Sequence, residues 1–308
     1  MKSDFADTNA RSLAYAKAKE ALLALARLAP DARNWRPHAV VLAQGQDEPV
    51  QLLEYAALLG GRHGVVSRVA FVQGSRPAAA AKRQAELARL RQLTAEKVPT
   101  VLHEVVVTPD VEAALPVFLQ AHGVGSLKPN LAILGYPRDK ALSGGFVTRL
   151  RTLAELGLSQ AILLNLAGRR PGRGEAGRID IWWRGYANGS LMLILAHLMT
   201  LNPEWQQVRV RILRIAKTEA ERQSAHDDLK HLTEVSRIGA EIKVLVSADP
   251  FSQTMRRESR DAVALFLGFV LPADNSALLS LFESTARALE GMPPAFLIST
   301  SGAADLLA

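Results

Sequence analysis

The residues whose spacing best suits phosphate chemistry form a glycine-rich motif near the middle of the chain. Gly172, Gly174 and Gly177 follow the G-x-G-x-x-G pattern that holds a dinucleotide pyrophosphate against a helix N-terminus. The motif needs a helix directly after it, whereas Arg178 leads into a run typical of a strand. The stretch 168–178 holds four glycines, one proline and five charged residues, the composition of a boundary loop. We therefore interpret this motif as part of a linker.

Other patterns for catalysis or metal binding are weaker. His226 and His231 are the nearest pair of the seven histidines, and on a helix they lie about 140° apart, unlike the pair of a zinc helix. No serine stands in a G-x-S-x-G elbow. The absence of cysteine excludes disulfides, thiolate metal sites and cysteine nucleophiles, and it fits a reducing cytoplasm. The sequence predicts neither an enzyme nor a metal site.

Composition and charge narrow the function classes further. The 308 residues correspond to about two domains, and 48% hydrophobic with 22% charged residues predict a globular protein. The net charge of +7 favours an anionic binding partner, such as nucleic acid, a phosphate ligand or an anionic membrane surface. Nucleic acid is disfavoured because no aromatic residue stands among the charges of the most basic helix, 78–97. The longest apolar runs, 191–201 and 262–271, are shorter than the ~20 residues that span a bilayer.

The basic helix has two interpretations. Lys82, Glu86 and Arg89 share one of its faces, which predicts an ordinary salt-bridged surface exposed to solvent. The alternative is a phosphate-binding edge.

The order of elements predicts an α/β fold with two tandem subdomains, each a mainly parallel sheet flanked by helices and preceded by a connecting helix. Residues 12–29 predict an amphipathic helix that ends at Pro30. Pro116 either kinks its helix or marks a late start. Strands are predicted at 38–43, 65–72, 101–107, 131–134, 161–166, 179–183, 208–215, 241–246, 263–270 and 295–299, and further helices at 49–59, 78–96, 111–122, 146–156, 190–201, 219–238 and 276–289.

These elements suggest four regions. A connecting helix occupies 1–33, the first α/β subdomain 34–167, the linker 168–178 and the second α/β subdomain 179–308.

Four segments, in this order, carry a resemblance to a known family. They are Asn34-Trp35-Arg36-Pro37 before the first strand, Lys82-Arg83-Gln84-Ala85 in the basic helix, Lys128-Pro129-Asn130 before an apolar strand, and Ile179-Asp180-Ile181-Trp182-Trp183. With them, the chain resembles the cytosolic C-terminal domain of the cation-chloride cotransporters (the Na-K-Cl and K-Cl cotransporter family) over essentially its whole length. Two departures, 184–188 in place of an acidic pair and a short 249–261 in place of a phosphorylatable insertion, suggest a compact prokaryotic relative.

The resemblance implies a regulatory domain rather than an enzyme. Its halves would be similar to the universal stress protein fold, and it would form a homodimer at the cytoplasmic side of the cell membrane. It would couple to symport of chloride with potassium and/or sodium, whose ion sites lie in a transmembrane domain of the same transporter. Anionic lipid headgroups are further expected partners, and nucleic acid is not.

Structural roles are expected for the family residues. Trp35 packs the connecting helix onto the first subdomain, Arg36 ties down a loop and Pro37 starts a strand. Asn130 suits a turn at a strand entrance. Trp182 and Trp183 point to opposite faces, which predicts one in a core and the other at an interdomain or subunit surface.

The alternative function is a nucleotide-binding sensor of the universal stress protein type. Universal stress proteins bind adenine nucleotides such as ATP at the carboxyl ends of their strands. By that resemblance the binding residues are Gly45, Lys82, Lys97, Gly135, Ser143, Gly144 and Gly145. Gly144 and Gly145 precede a helix and can offer backbone N–H groups to a phosphate; otherwise they form an ordinary turn.

Overall fold

The computed structural model describes residues 2–29, 31–42, 50–137, 143–168, 171 and 174–307. One helix precedes two similar runs of alternating strands and helices. That helix is α1 (Lys2–Arg27). The first run, here the first half, is β1 (His38–Leu42), α2 (Val50–Gly60), β2 (Val65–Gln73), α3 (Arg76–Thr94), β3 (Leu102–Thr108), α4 (Val111–Ala121), β4 (Leu131–Gly135), α5 (Ser143–Glu155) and β5 (Ser159–Leu164).

The second half repeats this order. It is β6 (Gly177–Trp182), α6 (Tyr186–Thr200), β7 (Val208–Ala216), α7 (Glu219–Ser236), β8 (Glu241–Val246), α8 (Phe251–Ser259), β9 (Ala264–Gly268), α9 (Asn275–Ala288) and β10 (Ala295–Ser299).

Among the described residues, ten strands form one sheet in the order β3-β2-β1-β4-β5-β10-β9-β6-β7-β8. Read from its outer edge, each half has its first to fifth strands in the order 3-2-1-4-5, with parallel neighbours. The halves meet where β5 and β10 pair antiparallel, with Ala161 opposite Ile298. Both strands are buried, so this pairing covers two apolar edges that would otherwise be open. The α/β class is confirmed, and the two sheets are continuous.

Apolar clusters cover both faces of the sheet, as the strand patterns predict. One cluster draws on α2, α6 and α7, for example Leu52, Leu191 and Leu229. The other draws on α4, α5, α8 and α9, for example Phe146 and Phe282. Alternate residues of the strands supply the two clusters, because successive side chains of a strand point to opposite faces.

Three local predictions need correction. The first helix begins at Lys2 rather than at residue 12, and its stripe of apolar residues is not buried, since Leu22 is half-buried and the other described side chains from 9 to 29 are exposed. The helix α8 was not predicted, because it has nine residues and mostly polar ones. Pro116 lies inside α4, which begins at Val111, so it does not mark a late start.

The structure also bears on the glycine-rich motif and on membrane spans. Gly177 is the first residue of β6, so a strand follows the glycine-rich motif, and Gly172 lies outside the described residues. Within the part of the chain that the structure describes, no helix is both long enough and apolar enough to span a membrane.

Side chains also join the two halves on the face that carries α5 and α9. Arg151 of α5 donates to Oδ1 of Asn275 at 2.5 Å and to the carbonyls of Pro272 and Ala273 at 2.9 and 2.8 Å. On the other face α2 and α6 pack together, and the amide of Asn202 donates to the carbonyl of Leu58 at 3.1 Å. The halves therefore share a core as well as a sheet.

Candidate functional site

Two family segments meet at the amino end of β1, where Asn130 forms a clamp. Its Nδ2 donates to the carbonyl of Arg36 at 2.8 Å, and its Oδ1 accepts from the backbone N–H of His38 at 2.9 Å. Its backbone N–H donates to the carbonyl of His38, and its own carbonyl accepts from Ser159 N–H, both at 3.0 Å. Asn130 was expected in a turn, but the structure shows that it extends the pairing of β1, β4 and β5.

Removing this clamp tests its structural role. We expect Asn130→Ala to lower the free energy of unfolding by about 1–3 kcal/mol, because the partly buried backbone N–H of His38 and the exposed carbonyl of Arg36 both lose their partner. Urea unfolding measures the change. The matched control is Asn34→Ala, since the amide of Asn34 is exposed and bonds only locally, to Asp31 at 3.0 Å. Equal stability of Asn130→Ala and the wild type would contradict the role.

The neighbouring family residues also contact the protein itself. Trp35 is buried in the same apolar cluster as Leu52, whereas the described side chains of α1 are mostly exposed. The guanidinium of Arg36 donates to the carbonyl of Trp35 at 2.9 Å. Pro37 precedes β1, and its carbonyl accepts from Val65 N–H at 2.9 Å. These contacts stabilise the start of the first half.

The third segment contacts the C-terminal end of α4 and lies beside two histidines. Lys128 Nζ is 3.5 and 3.4 Å from the last carbonyls of α4, where a cation is favourable, and Pro129 is half-buried. The rings of His38 and His122 lie 5.8 Å apart. Burial lowers the pKa of His38, and the nearby His122 lowers it further. Burial lowers the pKa of His122 as well, so both rings are mainly neutral at neutral pH.

The fourth segment places a charged residue in the core. Asp180 is fully buried in β6, and Oδ1 accepts from Nε of Arg178 and of Arg211, both at 2.9 Å, while Oδ2 accepts from Nη2 of Arg211 at 2.9 Å. The Nη2 atoms of both arginines also donate to the carbonyl of Glu258, at 3.2 and 2.8 Å. The Asp180 network thereby connects β6 and β7 to α8.

The side chain of Glu258 extends the network to the outer strand β8. Lys243 Nζ donates to Oε2 of Glu258 at 2.7 Å. This bond lowers the pKa of Glu258, and the charges of Lys243 and Arg211 lower it further. The carboxylate thus stays ionised well below neutral pH.

The two tryptophans occupy opposite faces of the sheet, and both are buried. Trp182 donates from Nε1 to Oγ of Ser259 in α8 at 3.1 Å. Trp183 lies in the other cluster with Ile179 and Ile181, to which both halves contribute. Its indole rests on the backbone of Gly189, where an added Cβ would lie 2.2 Å from Cη2. Both tryptophans are buried by packing within the chain, which fits the interdomain alternative for Trp183 and leaves neither side chain exposed for a subunit contact.

The residues of the predicted nucleotide site separate into two groups. Gly135 ends β4, and Ser143, Gly144 and Gly145 open α5, so these four lie at the carboxyl edge of the first-half strands. Added Cβ atoms at Gly144 and Gly145 would meet no atom of the described residues within 4 Å, so packing against those residues does not require glycine at either position. Gly45 lies outside the described residues.

The two lysines of that site are far apart: Lys82 lies in the second turn of α3, and Lys97 lies beyond its C-terminal end. Lys82 Nζ donates to the carbonyl of Gln73, the last residue of β2, at 3.1 Å. Lys97 is exposed beyond the other end of α3, near the amino end of β3. The helix between them is about 18 Å long, so Lys97 does not join Gly135. The Glu86–Arg89 ion pair, at 2.7 Å, confirms the predicted salt-bridged surface on this helix.

A cavity that was not predicted lies at the carboxyl ends of β6 and β9. Its volume is about 390 Å³. The chain leaves β6 and β9 toward helices on opposite faces, and ligands of open α/β sheets bind at such a switch point. A repeat could have indicated it: Leu131–Gly135 and Ala264–Gly268 are matching strands, each with four buried residues and a final glycine. The cavity is lined by Arg184, Gly185, Ala187, Asn188, Met192, Phe251, Leu267, Gly268, Phe269, Val270, Leu281, Phe282, Thr285 and Leu297.

Comparison with known proteins supports the resemblance. Residues 158–265 match the family model of solute carrier family 12. The chain is also similar in structure to the cytoplasmic domain of a prokaryotic cation chloride cotransporter, with a TM-score of 0.65 and 15% identity over 89% of this chain and 99% of that one. The resemblance to the cation-chloride cotransporters is confirmed.

The solute carrier family 12 match covers the Asp180 network and Trp183, but not the clamp at Asn130. A universal stress protein from Archaeoglobus fulgidus is also similar, with a TM-score of 0.56 and 11% identity over 87% of this chain and 97% of that one. At these identities the two structures show a shared fold. The two-half α/β fold of this chain is therefore shared with both of these structures.

Proposed function

We propose that the chain is the cytosolic regulatory and dimerisation domain of a cation-chloride cotransporter that moves chloride with potassium and/or sodium. The observation that carries the proposal is the solute carrier family 12 match over residues 158–265. The proposal assigns no catalytic step to the chain. It places the ion sites in a transmembrane domain of the same transporter and the chain at the cytoplasmic side of the membrane. It divides the chain into subdomains 34–167 and 179–308, with a linker at 168–178.

The exposure of α1 supports its role as the connection to the membrane. Leu13, Tyr15, Leu23 and Leu25 are 46–77% exposed, so the two halves leave most of this apolar surface uncovered. An isolated helix in water is only marginally stable, and apolar side chains gain stability by packing against another surface. The transmembrane domain is the surface that the proposal assigns to it. The excess of basic charge suits neighbouring anionic lipid headgroups.

Deleting residues 12–29 from a full-length parent transporter tests the connection. Ion flux and the sedimentation of the detergent-solubilised dimer are measured for the deletion and for the intact parent. The proposal expects altered flux, because motion no longer passes between the membrane and the cytosolic domain. The isolated chain is expected to sediment as a homodimer. Unchanged flux together with a monomeric isolated chain would overturn the proposal.

A nucleotide sensor of the universal stress protein type is the second candidate, favoured by the open first turn of α5. Calorimetric titration with ATP tests it, and the double variant Gly144→Ala, Gly145→Ala is the sharp comparison. Neither added Cβ meets an atom of the described residues within 4 Å, so the variant is expected to keep its fold while it obstructs a phosphate. Binding of ATP that the variant weakens supports a sensor at Gly135, Ser143, Gly144 and Gly145. If the titration shows no heat of binding, the nucleotide-sensor proposal is wrong.

A further inference from the structure

The second-half cavity has an apolar wall built by several elements. Phe251 comes from α8, Leu267 from β9, Leu281 and Phe282 from α9, and Leu297 from β10. Its volume of about 390 Å³ lies within the range of small-molecule sites in proteins, roughly 300–1,000 Å³. Such a wall favours the apolar or aromatic body of a ligand.

One cation stands at this wall. Among the described residues that line the cavity, Arg184 alone carries a charge. Its guanidinium lies 5.3 Å from the ring centre of Phe251, and it makes no ion pair with any described residue. The amide of Asn188 is already engaged, since it donates to the carbonyl of Phe269 and accepts from Thr300 N–H, both at 2.8 Å. The guanidinium of Arg184 is therefore the charged group that can bind a ligand in this cavity. A guanidinium forms strong, two-point hydrogen bonds with a carboxylate.

We propose that this cavity binds a small amphipathic carboxylate. The apolar or aromatic body of the ligand lies against Phe251, Leu267 and Phe282, and its carboxylate pairs with Arg184. This site is separate from the nucleotide site predicted in the first half, and it does not depend on the proposed role in transport.

A polyphosphate fits the second half less well than a carboxylate. Asp274 is the N-cap of α9, and its Oδ2 accepts from Ala277 N–H at 2.8 Å, so an anion already satisfies this helix end. In the first half the residue that precedes α5 in the sequence is Leu142, which carries no charge. The helix end beside the second-half cavity is therefore poorly suited to a phosphate and leaves the anion to Arg184.

Calorimetric titration of the intact chain with 2-naphthoate and with its neutral amide, 2-naphthamide, tests the proposal. Saturable binding of one naphthoate per chain is expected, with the amide weaker. Arg184→Gln should weaken naphthoate about tenfold or more, because a charge-assisted bond is lost, and leave the amide unchanged. Arg209→Gln, which removes an exposed arginine outside the cavity, is the control and should bind like the wild type.

A second variant tests the cavity itself. Thr285→Phe places a larger side chain in the cavity and should abolish binding of both compounds, with thermal unfolding as the check that it folds. The proposal is overturned if naphthoate does not bind, or if Arg184→Gln binds it as tightly as the wild type. It is also overturned if ATP binds more tightly than naphthoate in a manner that depends on Arg184.

Discussion

Replacing Asp180 by alanine is expected to lower the free energy of unfolding by about 3–5 kcal/mol. Its carboxylate is fully buried and accepts three bonds from two arginines, one of which, Arg211, is itself buried. Removing it leaves the Arg211 guanidinium in the core with the carbonyl of Glu258 as its remaining acceptor. An uncompensated buried charge is far more costly than the loss of an exposed ion pair.

Urea unfolding of Asp180→Ala, Asp180→Asn and Glu112→Ala measures this difference. Glu112 forms a partly exposed ion pair with Arg149 at 2.9 Å, so its loss should cost less than about 1 kcal/mol. The double variant Asp180→Leu, Arg211→Met should be more stable than Asp180→Ala, because it removes the stranded charge together with its partner. If Asp180→Ala were no less stable than Glu112→Ala, the network would not have the energetic role given to it.

Replacing Gly189 by alanine is the second large effect, and it should destabilise the fold by at least about 2 kcal/mol through overpacking. The added Cβ would lie 2.2, 2.4 and 2.6 Å from Cη2, Cζ2 and Cζ3 of Trp183. Trp183 is buried, and because protein interiors are closely packed, its indole can move only if neighbouring side chains move with it. Thermal and urea unfolding both report the loss.

A rescue variant separates this clash from a general effect on the helix. Trp183→Phe removes the six-membered ring of the indole, so Gly189→Ala should cost much less in a Trp183→Phe background than in the wild type. Gly239→Ala is the matched control, because a Cβ there meets no atom within 4 Å, and it should be close to neutral. Equal costs of Gly189→Ala in both backgrounds would contradict the account.

Local patterns predicted the elements well where apolar strands and long helices follow each other. The alternation of strands and helices from His38 to Ser299 is confirmed, because buried parallel strands are apolar along their length. The helix α8 was missed since nine mostly polar residues give a weak periodic signal. The exposure of α1 was missed for a different reason: its apolar residues suit a helix face, and only the tertiary structure shows that the described part of the chain leaves most of them exposed.

Long-range relations were harder to predict. The β5–β10 pair joins residues more than 130 positions apart, and strand pairing of that kind leaves no local pattern. Asn130 bonds to Arg36 and His38, more than 90 residues away, so its sequence neighbours indicated a turn instead. The second-half cavity was missed although the two strands that end in Gly135 and Gly268 repeat each other. The residues predicted for nucleotide binding, Gly45 to Gly145, directed attention to the first half alone.

We propose above that this chain is a domain of a cotransporter that moves chloride together with a monovalent cation. The most direct measurement is uptake of ⁸⁶Rb⁺ and ²²Na⁺ into liposomes that contain the full-length parent protein, with external chloride present or replaced by gluconate. The account predicts uptake of at least one cation that falls to the level of empty liposomes without chloride. Cation uptake that is the same with and without chloride would contradict it.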